Sequence, residues 1–284
     1  MNLNADGTPL NHRKAHRGPN SDHWIRADAE EFQRLFQTGT IRPIQFADIP
    51  AGHVTTYVNP VCSEKLNDDG SVKTRTRMTI GGDRIHYPFN KSAETADLDA
   101  VKILLNCMIS ENSNWSTMDL TDFYLGTDLP HPEYIRFPES MIPPIVKEWY
   151  NLRPYINNNA LYASVHKTHY GLPQAGALSQ QRLFRHLRQH GYRKMTHTPS
   201  CFRNSSGTIR FSLVVDDFAV VWTSKPDMLH LIQTLRLLYQ VKVNWKGNKY
   251  LGMDIDIDRR NRHITISMPG VRLQIATPST TPRP

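Results

Sequence analysis

The sequence predicts an α+β fold, an antiparallel sheet backed by helices, and three observations predict it. Ser116 to Leu120, Ile209 to Val215, Phe218 to Trp222, Tyr250 to Asp258 and Arg262 to Ser267 are short runs of strand length and strand composition. Other segments place apolar residues at helical spacing, among them Leu98, Val101, Leu104, Leu105 and Met108. Turn and cap residues separate the two kinds, so the strands form hairpins whose buried face needs a helical layer.

The elements follow in order. The first 23 residues carry Asn, Gly, Pro, His and Arg with little apolar period and read as a loose basic arm. From Trp24, the positions of Ala27, Glu31, Leu35 and Phe36 give one amphipathic helix. Ile41 to Val61 alternates as short strands broken by Pro43, Pro50 and Gly52. Lys73 to Ile80 sets Arg75, Arg77 and Thr79 against Thr74, Thr76 and Met78, a strand with one basic face that closes at Gly81-Gly82. Thr95 to Ser110 is helical and Ser116 to Leu120 extended, whereas Pro130 to Arg153, with its prolines, gives no clear reading. Gly171-Leu172-Pro173-Gln174 is a turn feeding a helix that ends at Gly191. Ile209 to Trp222 reads as a hairpin with Asp216-Asp217 at its tip, although the glycine of common two-residue turns is missing. Ser224 to Asp227, with Pro226, caps a helix that runs to about Tyr239. The expected sheet joins the strands of Asp119 and Asp216 to the strand near Leu251, backed by helices 174–190 and 225–239.

A chain of 284 residues, 39% hydrophobic, is long enough to bury a sizeable core. Its net charge of +8 favours polyanionic partners such as nucleic acid. Cys62, Cys107 and Cys201 are odd in number and far apart, which argues against a disulfide framework and a zinc knuckle and for a reducing compartment. No apolar run approaches the ~20 residues of a membrane span, so an intracellular protein, not secreted and without a membrane partner, is expected.

Asp119 ends a strand of otherwise buried type, and Asp216-Asp217 lies between aliphatic runs. Adjacent negative charges in such surroundings repel and call for cations, and magnesium suits carboxylate oxygens while leaving positions for water and phosphate. If the two strands are neighbours, Asp119 and Asp216 meet across ~5 Å and bridge two ions. Taken singly, the motifs equally describe a strand-end cap and a solvated hairpin tip. His186 and His190 have the spacing of a zinc helix but no glutamate base or third ligand in the sequence, and read as a solvated face. Gly81-Gly82-Asp83 reads as a plain turn.

In order along the chain, Met118-Asp119-Leu120-Thr121-Asp122-Phe123-Tyr124, Gly171-Leu172-Pro173-Gln174-Ala175-Gly176, Val214-Val215-Asp216-Asp217 and Tyr250-Leu251-Gly252-Met253 resemble successive palm motifs of reverse transcriptases, most closely the Ty1/copia retrotransposon class. The likeness extends to Gly18 through Trp24, Arg75 through Ile80 and His197 through Ser200, covering about residues 11–270.

The resemblance implies a right-hand polymerase palm with an N-terminal fingers subdomain, the fingers at about 24–110 and the palm at about 111–270. The flanks would be a flexible arm, 1–23, and a disordered tail, 271–284, with no room for a thumb, a tether or a ribonuclease H domain. It implies RNA-directed DNA polymerase activity, adding dNTPs to a primer 3′-hydroxyl on an RNA or DNA template with two Mg²⁺ ions, or Mn²⁺ in their place. Asp119, Asp216 and Asp217 would be the catalytic metal ligands and Tyr124 the steric gate against ribose. Gln174, Arg75 and Arg77 would meet the incoming dNTP, and Tyr250, Leu251 and Gly252 would belong to the primer grip. The implied setting is a retroelement polyprotein in a cytoplasmic virus-like particle or the nucleus. The alternative function is an inactive, truncated retroelement remnant that only binds nucleic acid, and a third is a nucleotidyl transferase that needs no template.

Overall fold

The computed structural model describes residues 10–66 and 71–268. Its helices are α1 (His12–Ala15), α2 (Ser21–Gln37), α3 (Leu98–Ser110), α4 (Pro144–Trp149), α5 (Ala175–Gln189) and α6 (Lys225–Arg236). The strands begin with β1 (Ile41–Pro43), β2 (Thr55–Leu66), β3 (Val72–Ile80), β4 (Asn114–Thr121), β5 (Asp128–Pro138), β6 (Ile156–Asn157) and β7 (Ala160–Lys167). They continue with β8 (Arg193–Lys194), β9 (Cys201–Arg203), β10 (Ile209–Val214), β11 (Asp217–Trp222), β12 (Gln240–Asn244), β13 (Lys249–Tyr250), β14 (Met253–Asp258) and β15 (His263–Ser267).

The chain gathers into two compact units that alternate in sequence, Met1–Glu94 with Asp122–Gln189, and Thr95–Thr121 with His190–Pro284. This differs from a single division near residue 110. The apolar side of α3, with Val101, Leu104, Leu105 and Met108, packs on Trp115, Ala219 and Val221 of β4 and β11, which takes α3 into the second unit.

In the first unit the sheet runs β1-β7-β5-β2-β3, with β6 on β7. All its pairings are antiparallel except β2 with β5. Phe32 and Leu35 of α2 share its core with Met78, Ile80, Ile135, Phe137, Leu161 and Val165. β3 turns Thr76, Met78 and Ile80 inward and leaves Arg75 exposed, the two-residue period that its sequence spells out. The ordered structure starts earlier than the expected loose arm allows. Asn11 accepts hydrogen bonds from the Arg13 and Lys14 amides to start α1, and α2 begins at Ser21. The proposed disordered tail, 271–284, and Pro269-Gly270 lie outside the described residues.

The second unit is built on the sheet β12-β4-β11-β10-β9-β8, antiparallel throughout, and a separate sheet, β13-β14-β15. The strand near Leu251 therefore does not join the sheet of Asp119, as the sequence reading had it. Leu251 at φ 51° and Gly252 at φ 76° fold β13 back on β14 in a two-residue hairpin, and β12 takes the place beside β4. Within the unit α3 and α6 pack on the larger sheet, whereas α5, the other helix expected there, groups with the first unit. No disulfide joins the three cysteines, and among the described residues no helix is long and apolar enough to cross a membrane.

Candidate active site

β4 is the central strand of the second unit's acid-bearing end. Its neighbours are in register so that Asp119 faces Asp217 of β11 on one side and Lys242 of β12 on the other. Residues directly opposite in an antiparallel ladder point to the same face, so the two acids and the lysine form one row. The Leu120 amide donates to the Asp216 carbonyl at 3.0 Å. That bond identifies Asp119 and Asp217 as a non-hydrogen-bonded pair, the closer kind, with Cα atoms about 4.5 Å apart. Further along this face lie Ala219, Val221 and Trp115, covered by α3 and by Tyr250, Met253 and Ile255. The row thus has an apolar floor behind it.

The turn between β10 and β11 consists of Val215 and Asp216, closed by the Val214–Asp217 pair, so one acid sits in the turn and the other begins the strand. Val215 has φ 59°, a conformation that type II′ turns reserve for glycine and that a β-branched residue adopts only under strain. Replacing Val215 by glycine is expected to stabilise the protein by about 1 kcal/mol, less than the full strain because glycine gains freedom on unfolding. Urea denaturation reads the effect. Equal or lower stability would remove strain from the account of this turn.

Electrostatics set Asp217 apart from an ordinary surface carboxylate. Burial, with the charges of Asp216 and Asp119 adding, pushes the Asp217 carboxyl up to about 6. The same half-buried end holds Tyr250, whose phenol is pushed up by burial first and by the Asp217 charge as well. The three carboxylates do not bring their oxygens within 4.8 Å of one another as a group. The donor set is all oxygen, which fits magnesium.

The remaining expected residues divide between the units. Tyr250 is buried under the acid face, while Leu251 and Gly252 form the exposed tip of its hairpin. In the first unit Tyr170, which sequence reasoning missed, ties two candidates together. The guanidinium of Arg77 lies 4.7 Å over its ring, and Tyr124 meets it edge-on at 5.0 Å. The signal was available, because Tyr170 directly precedes the Gly171 turn. Arg75, on the same face of β3, is exposed. Gln174 is 2% exposed, and its amide donates to Glu133 at 2.9 Å, so its side chain is committed inside the unit and turned away from solvent. Asp122 pairs with Arg34, which also binds Glu31, and so belongs to the first unit's packing and not to the acid row. Lys242 was also missed, although Gln240-Val241-Lys242-Val243-Asn244 alternates as a strand should.

Three curated relatives, the Ty1-LR3, Ty1-PR1 and Ty1-JR1 Gag-Pol polyproteins of Saccharomyces cerevisiae, are each 24% identical to this chain over 226 residues. The chain is related to Ty1 retrotransposon polyproteins. The alignment takes in 78% of this chain and 12% of each Ty1 relative, so it compares one segment of a much longer protein. No family model matches the chain.

Proposed function

We propose that this Ty1-related chain is the fingers and palm of a reverse transcriptase, catalysing magnesium-dependent, template-directed addition of dNTPs to a primer 3′-hydroxyl. The observation that carries the reading is the pairing of Asp119 with Asp217 across adjacent strands, with Asp216 in the turn beside them. Relation to a Gag-Pol polyprotein supports it, as does the order of the four motifs.

Bound divalent ions would activate the attacking 3′-oxygen and stabilise the leaving pyrophosphate. The chain's own part is positioning. Asp119 and Asp217 present carboxylates from strands fixed on both sides, and the strained turn fixes the backbone that carries Asp216. Lys242, in register with Asp119, offsets part of the negative charge. The apolar packing behind the row lowers the local dielectric and strengthens each charge interaction. In the first unit, Arg77 and Arg75 would take the triphosphate, Tyr124 would exclude the ribose 2′-hydroxyl, and Gln174 would support the nucleotide pocket from within.

The test is single-nucleotide primer extension on an RNA template with Mg²⁺, run with the unaltered chain and with Asp216→Asn. Extension that the substitution removes supports the proposal. Extension that survives it refutes the metal assignment. Salt-sensitive RNA binding with no incorporation by the unaltered chain would instead favour a remnant that only binds nucleic acid.

A further inference from the structure

A second group of metal-ligating side chains lies far from the acids in sequence, inside the first unit. Asp28, on α2, has no exposed surface, yet its Oδ2 has two imidazole nitrogens close by, His12 Nε2 at 2.8 Å and His16 Nε2 at 3.1 Å. All three donor atoms lie within 4.8 Å of one another, the one such group of three among the described residues. The two rings face each other at 4.1 Å, as the i, i+4 spacing on the α1 turn dictates.

The hydrogen-bonding of this group is incomplete. His16 Nε2 approaches Oδ2 without hydrogen-bond alignment and has no other partner, and Asp28 Oδ1 has none at all, although both atoms are buried. A buried carboxylate with an unpartnered oxygen is costly unless a positive charge compensates it. A bound divalent cation would supply the contacts that these two atoms lack.

We propose that His12, His16 and Asp28 bind one divalent transition-metal ion, zinc being the best match to the ligand set. Tetrahedral zinc with bonds of about 2.0–2.1 Å spaces its donors roughly 3.3 Å apart, near the 2.8 and 3.1 Å that separate the two imidazole nitrogens from Asp28 Oδ2. Two imidazoles and one carboxylate leave a fourth position for water or an incoming ligand. The nitrogen-rich set suits zinc and disfavours magnesium, so this centre differs in chemistry from the acid row. Its occupation would clamp α1, with the exposed Arg13 and Lys14, against α2.

The test uses tag-free protein in excess Mg²⁺, which keeps the acid row from competing, and titrates Zn²⁺ by calorimetry and Co²⁺ by visible absorption. The expected result is one equivalent bound, a tetrahedral Co²⁺ spectrum, and a zinc-dependent rise in thermal midpoint. The double substitution His12→Gln and His16→Gln is expected to weaken binding about 100-fold or more. The pair His186→Gln and His190→Gln should leave it unchanged. Circular dichroism establishes that each variant is folded, and the titration of the unaltered chain decides the matter even where a variant is not. No stoichiometric binding by the unaltered chain, binding undiminished by the first pair, or binding lost with the second would overturn the proposal.

Discussion

Asp119→Asn is expected to lower Mg²⁺-dependent incorporation by about 10³-fold or more, roughly 4 kcal/mol of barrier, while making the protein more stable. The two effects have opposite signs because they come from one cause. Asp119 faces Asp217 directly, and its charge is one of those that push the Asp217 carboxyl up to about 6, after burial and Asp216. Folding therefore raises the Asp217 pKa above its value in the unfolded chain, near 3.9. The unaltered protein loses stability as pH rises between those two values and carries the whole penalty above about pH 6. Removing one neighbouring charge relieves part of it, about 1 kcal/mol at pH 7.5 once solvent screening of this half-buried site is allowed for. Near pH 4, with Asp217 protonated in the folded protein, the gain should shrink toward zero. Urea denaturation at both pH values, beside the primer-extension rate, reads the pattern. Retained extension would end the catalytic role of Asp119, and loss of stability at pH 7.5 would show that its charge is compensated in the fold.

The second large effect lies in the first unit. Gly171→Ala is expected to cost about 3 kcal/mol or more, combining an unfavourable backbone conformation with a backbone collision. Gly171 has φ 92°, and a Cβ there would stand 2.0 Å from the Ile80 carbonyl oxygen and 2.9 Å from the Ile80 nitrogen. Neither atom can yield, because the Ile80 amide donates to the Tyr170 carbonyl at 2.8 Å and Ile80 is core. Gly82 completes the joint, since its own Cβ would lie 2.1 Å from the Gly171 oxygen. Gly39→Ala is the control, at φ 67° with nothing within 4 Å, and should cost about 1 kcal/mol. Equal denaturation midpoints for the two variants would show that the Gly171 joint relaxes freely.

Elements whose signal is local were legible in the sequence. α2, α3 and α6 have clear apolar periods, and Asp97 and Ser224 cap the last two by accepting hydrogen bonds from Ala100 and Asp227 amides. β3 and the β10–β11 hairpin were legible for the same reason. β5 was obscured by its prolines at Pro130 and Pro132, and β7 by its lack of alternation, since Ala160 to Val165 are buried on both faces. Asp119, Asp216 and Asp217 could be nominated from residue type and order, but their arrangement could not. That depends on which strand flanks β4, and a sequence does not state its long-range pairings. Lys242 was overlooked for that reason, gaining its place from a partner distant in the chain.

The position of β4 also has a consequence for biosynthesis. A ribosome releases this strand long before β11 and β12, the two that must enclose it. Until both arrive, its Trp115, Met118 and Leu120 lack their neighbours, and closing so long a loop is slow. Translation that stops short of residue 240 would leave one edge of β4 bare, with a backbone ready to pair with another chain, so incomplete products should be the aggregation-prone species of this protein.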